Sequence, residues 1–188
     1  LIKNFNSEAQ KSTNYKSDYD SGLMGIISYE SKLPLINLKE DKSKEIFTPK
    51  LVFKYSPNKT KSMKNSDRLI DVDNVFSLNR LSSSDNVEGG ESATIGAEYR
   101  KFNKNDLNFF GFDIATSFRH EEDLDIPISS SLGQKSSNIF SNIFFKPTEN
   151  FKFNYNFSLD NNTDTINFHN FKNEFKINNF FNTFEYFE

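Results

Sequence analysis

The segment "NFKFNYNFSL" at 150–159 puts Phe151, Phe153, Tyr155, Phe157 and Leu159 at every second position, with Asn150, Lys152, Asn154, Asn156 and Ser158 between them. Side chains of an extended chain alternate between two faces, so this run reads as a strand with one apolar and one wet face. The same period sets Phe47, Leu51, Phe53 and Tyr55 against Thr48, Lys50, Val52 and Lys54, with Pro49 suited to a strand end. It sets Ala93, Ile95, Ala97 and Tyr99 against Thr94, Gly96, Glu98 and Arg100, and Phe110, Phe112, Ile114 and Phe118 against Gly111, Asp113, Ser117 and Arg119. Strands are expected over 23–33, 46–55, 93–102, 107–119, 138–146, 150–159, 165–175 and 179–187. The last two lose strict alternation midway, and a bulge near Asn170 would restore the face of the first. No segment carries a sustained helical apolar stripe, and no repeat of fixed period occurs beyond the hairpins, so the fold class is all-β.

The connections between these strands alternate in length. Those at 103–106, 147–150 and 177–179 are short, whereas 56–92 and 120–137 are long; 37–45 and 160–164 are the weak members of the series. In an antiparallel up-and-down meander every second connection lies on the same rim, and short turns on one rim with long loops on the other mark an outer-membrane barrel. Soluble sandwiches alternate as well, because one face of each sheet meets a core. Two features favour the membrane: tyrosines near strand ends (Tyr29, Tyr55, Tyr99, Tyr186), and charges on the wet face (Glu30, Lys32, Glu98, Arg100, Asp113, Arg119) that a water-filled lumen accommodates. A transmembrane sheet cannot leave its edges in hydrocarbon, so these roughly eight to ten strands must close or belong to a larger ring. Residues 1–188, with Leu1 rather than a Met in front and Glu188 inside an aromatic-polar alternation, are expected to form one fragment of a large transmembrane barrel domain.

Other classes find little support. With 23 Lys and Arg against 26 Asp and Glu the net charge is -3, so no basic field points to nucleic acid. The absence of Cys removes disulfides and thiolate chemistry. Twenty-two Phe and 7 Tyr argue against a disordered chain. His120 and His169 stand far apart, the Ser runs at 82–84 and 129–131 lack a Gly-x-Ser-x-Gly elbow, and "VEGGES" lacks phosphate-loop spacing. Neither an enzyme nor a cofactor is expected. The acidic "HEEDLD" at 120–125 reads as a solvated loop ahead of a divalent-cation site.

Within the long 56–92 connection, "DVDNVFSLNRLSSSDNVEGGESATIGAEYR" resembles a barrel segment of the lipopolysaccharide-assembly outer-membrane protein family, also known for organic-solvent tolerance. The matching positions are Asn74, Phe76, Asn79, Arg80, Asp85, Glu88 and Gly90, and the flanking "TPKLVFKYSPN" and "SSLGQKSSNIF" follow in the same order. Leu81 replaces an aromatic residue of the pattern, Ser83 a Gly and Asn86 an Arg; the resemblance runs from about Gly22 to Ser158. It implies a very large barrel in the bacterial outer membrane, with a plug lipoprotein in its lumen. Such a barrel receives lipopolysaccharide from periplasmic bridge proteins, through a domain absent here, and releases it into the outer leaflet. The alternative is a passive porin or nutrient-receptor barrel.

A loop carrying Phe76, Leu78 and Leu81 is costly to leave in water and should fold back over the lumen, with Arg80 paired to Asp85 or Glu88. That pair either tightens the loop alone or also narrows the lumen and braces the plug. Glu98, Arg100, Asp113 and Arg119 of the lumen wall either pair across strands or line the route of an amphipathic lipid.

Overall fold

A computed structural model describes residues 2–5, 20–83 and 86–188. Two short strands, β1 (Ile2–Phe5) and β2 (Asp20–Leu23), pair with each other. The rest is a single antiparallel sheet: β3 (Ile27–Lys32), β4 (Leu35–Leu38), β5 (Lys44–Ser56), β6 (Gly90–Phe102), β7 (Asn108–Arg119), β8 (Ile139–Thr148), β9 (Phe151–Leu159), β10 (Ile166–Ile177) and β11 (Phe180–Phe187). From β5 to β11 every strand pairs with its neighbour in sequence, which makes the chain an all-β meander. Among the described residues no pairing joins β11 to β3.

Where one strand is expected over 23–33, the sheet edge holds two. β3 and β4 lie along β5 in one continuous register, Lys32 opposite Lys50 and Leu35 opposite Phe47. Leu33 still donates to the Pro49 carbonyl at 3.2 Å, but Pro34 has no N–H to continue the ladder. Because β4 extends this edge to Leu38, the middling connection at 37–45 contracts to a tight turn closed by Lys39 N–H to the Ser43 carbonyl at 2.9 Å. In β10 the register shifts between Ile166 and Phe168, not near Asn170. The slip at the strand's start turns Phe168 inward and leaves His169, Phe171 and Phe175 on the outward face thereafter.

The outward face is apolar and open. Ile27, Tyr29, Phe53, Tyr55, Ile95, Phe118 and Phe184 all remain exposed, and Phe153, Phe171 and Phe184 form an edge-to-face row across β9 to β11. The inward face is mostly polar, with Val52 and Phe144 among its apolar members, and one transverse row sets Gly96, Ala115 and Phe140 side by side on β6, β7 and β8.

On that row sits the core. Ile70, Val72, Val75 and Leu81 of the loop after β5, and Ile126 and Leu132 of the loop after β7, pack with Ala115 and Phe140. Burial of each such side chain is worth about 1.5–3 kcal/mol as an upper bound. Both long loops therefore fold inward and give this sheet its only buried apolar cluster among the described residues.

Candidate functional site

The site is the contact between the β5–β6 loop and the inward wall. Its centre is Arg80, whose side chain is 0% exposed. Arg80 Nε donates to Glu88 Oε2 at 2.8 Å, and Nη2 reaches Glu88 Oε1. The remaining donors go to wall hydroxyls: Nη1 to Ser117 Oγ at 2.7 Å and Thr94 Oγ1 at 3.1 Å, Nη2 to Ser92 Oγ at 3.0 Å. Period-2 geometry puts these hydroxyls there, since Thr94 and Ser117 face each other across β6 and β7 on the inward side.

Glu88 serves a second cation. Arg119, at the end of β7, donates from Nη1 to Glu88 Oε1 at 2.7 Å and from Nη2 to the Gly89 carbonyl. Two guanidinium groups thus converge on one carboxylate oxygen, with Lys54 donating to the Ser77 carbonyl nearby. Burial by itself would raise the Glu88 pKa, but Arg80 first and Arg119 after it hold the carboxyl below its ordinary range.

The other motif residues shape the loop that delivers Arg80. Asn74 closes a turn: the Asp71 carboxylate accepts from the main-chain N–H of Asp73 and Asn74, each at 3.0 Å, while Asn74 Nδ2 donates to the Leu69 carbonyl. Asn79 ties the segment after it, donating to the Ser83 carbonyl at 2.8 Å and accepting from Leu81 N–H at 3.2 Å. Phe76 lies over Gly96, with Lys50 Nζ 5.2 Å from its ring centre. A Cβ at Gly96 would stand 2.8 Å from the Phe76 ring and 2.4 Å from the Ile114 carbonyl, so the wall admits this ring only where it has no side chain. Gly90 begins β6 at a φ of +74°, the left-handed region that glycine enters without penalty.

Some expectations need correcting. Of the two acids proposed for Arg80, Glu88 is a partner; Asp85 lies outside the described residues. Leu78 does not help bury the loop, being 54% exposed, whereas Leu81 is buried in the aromatic position of the family pattern. The four wall charges separate into two groups. Arg100 and Asp113 form a two-point pair, 2.5 and 2.9 Å, across β6 and β7, and Glu98 on the same face binds Lys50. Arg119 belongs instead to the Arg80–Glu88 cluster.

Other contributors are hard to find in the sequence. Asn86 is buried, accepting from Lys61 N–H at 2.8 Å and donating to the Lys61 carbonyl at 2.7 Å. Thr60 accepts from Gly89 N–H at 2.9 Å and donates to Asp123, which draws the acidic 120–125 stretch into contact with the first loop. The alternation marks Ser92, Thr94 and Ser117 as wall residues, but nothing in it marks them as receptors for a loop cation.

A family model described as LPS transport system D (LptD) matches residues 2–187, a wider span than the 22–158 in which the resemblance is legible by eye. A search of curated proteins found no match.

Proposed function

From the premise that this chain belongs to the LPS transport system D family, a bacterial outer-membrane family of lipopolysaccharide transport and assembly, we propose that its sheet is a section of barrel wall through which lipopolysaccharide is inserted into the outer leaflet. The observation that carries the reading is the docked β5–β6 loop. The wall commits a buried arginine and three hydroxyls to holding this loop across its inward face, which narrows the lumen side of the sheet. A conduit for an amphipathic lipid needs a constricted, polar inner surface beside an apolar outer one, and inward loops on a sheet with exposed outward Phe and Tyr provide both.

In this reading Arg100, Asp113, Glu98 and Lys50 stiffen the wall below the loop, and the Arg80–Glu88–Arg119 cluster sets the loop's height in the lumen. A plug lipoprotein would rest against the loop's exposed side, where Leu78 and Leu69 face away from the wall. The test is depletion of the intact gene product in its host, followed by measurement of newly made lipopolysaccharide at the cell surface. Delivery should fall as the protein is lost, and undiminished delivery would overturn the proposal. With Arg80→Glu, the loop should undock and plug retention should drop. A normal plug complex would confine the loop to a structural role.

A further inference from the structure

Charge interrupts the outward face at one corner of the short-turn rim. Along β5 the outward positions between Glu45 and Tyr55 are Phe47, Pro49, Leu51 and Phe53, and along β6 those between Lys101 and Glu91 are Tyr99, Ala97, Ile95 and Ala93. The step from Glu45 to Tyr55 covers about 33 Å of strand, which a tilt of about 40° reduces to the roughly 25 Å height of a barrel's apolar band. Glu45 and Lys101, opposite each other in register, therefore lie at headgroup level. Short turns mark the periplasmic rim, so the leaflet they meet is the inner one. At the same rim β9 to β11 turn Phe151, Phe175 and Phe180 outward instead, which makes the charged row particular to β4–β6.

We propose that this corner binds a resident phospholipid with a primary ammonium headgroup, phosphatidylethanolamine. A cleft of about 220 Å³ opens there, lined by Leu35, Asn37, Glu45, Phe47 and Tyr99. Lys39, in the turn between β4 and β5, and Lys101 both reach Glu45 Oε1, at 2.7 and 3.7 Å. Ion pairs this exposed contribute little and exchange partners readily, so the lysines can turn to a phosphate while the carboxylate takes an ammonium. Tyr99, its ring edge to face on Phe110 at 6.2 Å, brings an apolar body and a polar tip to the cleft. One row further in, Pro49 and Ala97 face each other across β5 and β6, with Phe47 and Tyr99 on one side and Leu51 and Ile95 on the other. That low shelf between larger side chains is where an acyl chain lies.

Charge selects among lipids. The turn and the row carry Lys39, Lys42 and Lys101 against Glu40, Asp41 and Glu45, a neutral corner that suits a zwitterion ahead of an anionic lipid. Among zwitterions, a primary ammonium offers N–H donors to Glu45 and Asn37, whereas a quaternary choline offers none. The proposal rests on the family reading only for the membrane and its orientation; the lipid is a resident of the inner leaflet, not the cargo.

The experiment is native mass spectrometry of the full-length protein in detergent, titrated with palmitoyl-oleoyl phosphatidylethanolamine and, in parallel, with the phosphatidylcholine and phosphatidylglycerol of the same chains. The ethanolamine lipid should be retained roughly tenfold more tightly than either of the others. Glu45→Gln should bring it down to the level of the choline lipid, and Lys39→Gln combined with Lys101→Gln should weaken both zwitterions alike. Ala97→Phe, outward on the shelf and apart from the buried cluster, should weaken all three. Unchanged heat-modifiable mobility shows that each variant is folded. Equal retention of the three lipids, or a preference indifferent to Glu45→Gln, overturns the site. So does tighter retention of phosphatidylglycerol, which would make it an anion site, or displacement of the ethanolamine lipid by lipopolysaccharide, which would make it part of the cargo's route. Surface delivery after depletion is read without reference to this lipid, so the site and the transport function fail separately.

Discussion

Replacing Glu88 should do more damage than replacing Arg80, although the two are partners in the same ion pair. Removing one member of a buried pair generally costs about 3–5 kcal/mol, because the other is left charged and uncompensated. With Arg80→Met, Glu88 keeps its 2.7 Å contact to Arg119, and Thr94 can still donate to Ser117 at 3.1 Å, so the cost falls near the lower end of that range. With Glu88→Gln, Arg80 and Arg119 both lose the negative charge on which they converge, and two buried guanidiniums face each other across a neutral amide. Besides the Gly89 and Glu121 carbonyls, the carboxylate left to Arg119 is Asp123 at 3.7 Å. That cost falls at the upper end, about 1–2 kcal/mol greater. The assay is native-state proteolysis or hydrogen exchange of the β5–β6 loop in the full-length protein, under conditions where cleavage reports the open population. The difference predicts an opening constant roughly 5–30 times larger for Glu88→Gln than for Arg80→Met. Equal constants, or the reverse order, would refute the shared-carboxylate reasoning.

Further outcomes follow from the same contacts. Because the Glu88 pKa is depressed in the folded state, its contribution is fully present above the ordinary carboxylate range and is lost only as pH falls through the lower folded value. Loop protection measured by hydrogen exchange should therefore stay level from neutral pH through about pH 4.5 and fail below it; a loss centred at the ordinary carboxylate pKa would contradict this. Gly96→Ala should destabilise docking by about 1–3 kcal/mol through contact with the Ile114 carbonyl and the Phe76 ring, and Phe76→Leu should relieve only the second part, as a double-mutant cycle on loop opening would show. Asn86→Ala should cost about 1–3 kcal/mol by removing both hydrogen bonds to the Lys61 main chain, read as faster exchange of the Lys61 amide.

The fold was largely legible because one physical rule governs it. Wherever one face meets an apolar medium and the other a polar one, period 2 appears in the sequence, and the meander follows from the alternating connections. The same rule misplaced the bulge, since the shift between Ile166 and Phe168 sits at a polar–aromatic junction where two registers leave nearly the same residues outward. At the edge strand Pro34 ended one run, while β4 resumed the ladder in a stretch, "LINL", with no alternation of its own. In the candidate site, Arg80 and Glu88 stood out through their spacing within a known pattern. Asn86, Thr60 and the wall hydroxyls did not, because each acts on main chain or on a residue distant in sequence.

The division of labour at the docked loop explains why the wall looks as it does. A loop held by apolar burial alone would need a broad hydrophobic inward face, and such a face would obstruct a polar lumen. The loops' apolar cluster meets the sheet at the row Gly96, Ala115 and Phe140, and two of these three have almost no side chain, so the loop's own Val72, Val75 and Leu81 fill the space. Orientation is then left to Arg80, whose donors reach Glu88 on the loop and hydroxyls on both β6 and β7. The wall's hydroxyls are small and uncharged, and its charges at this contact are Arg119, on Glu88, and Lys54, on the Ser77 carbonyl. The consequence is directional. Burial sets how strongly the loop is held, whereas the arginine sets where, so apolar substitutions such as Leu81→Ala should speed opening without moving the closed position, and Arg80→Met should also shift Phe76 off Gly96. Cross-linking between positions 76 and 96 distinguishes the two: retained in the first variant and lost in the second if the assignment is right, altered alike in both if burial alone positions the loop.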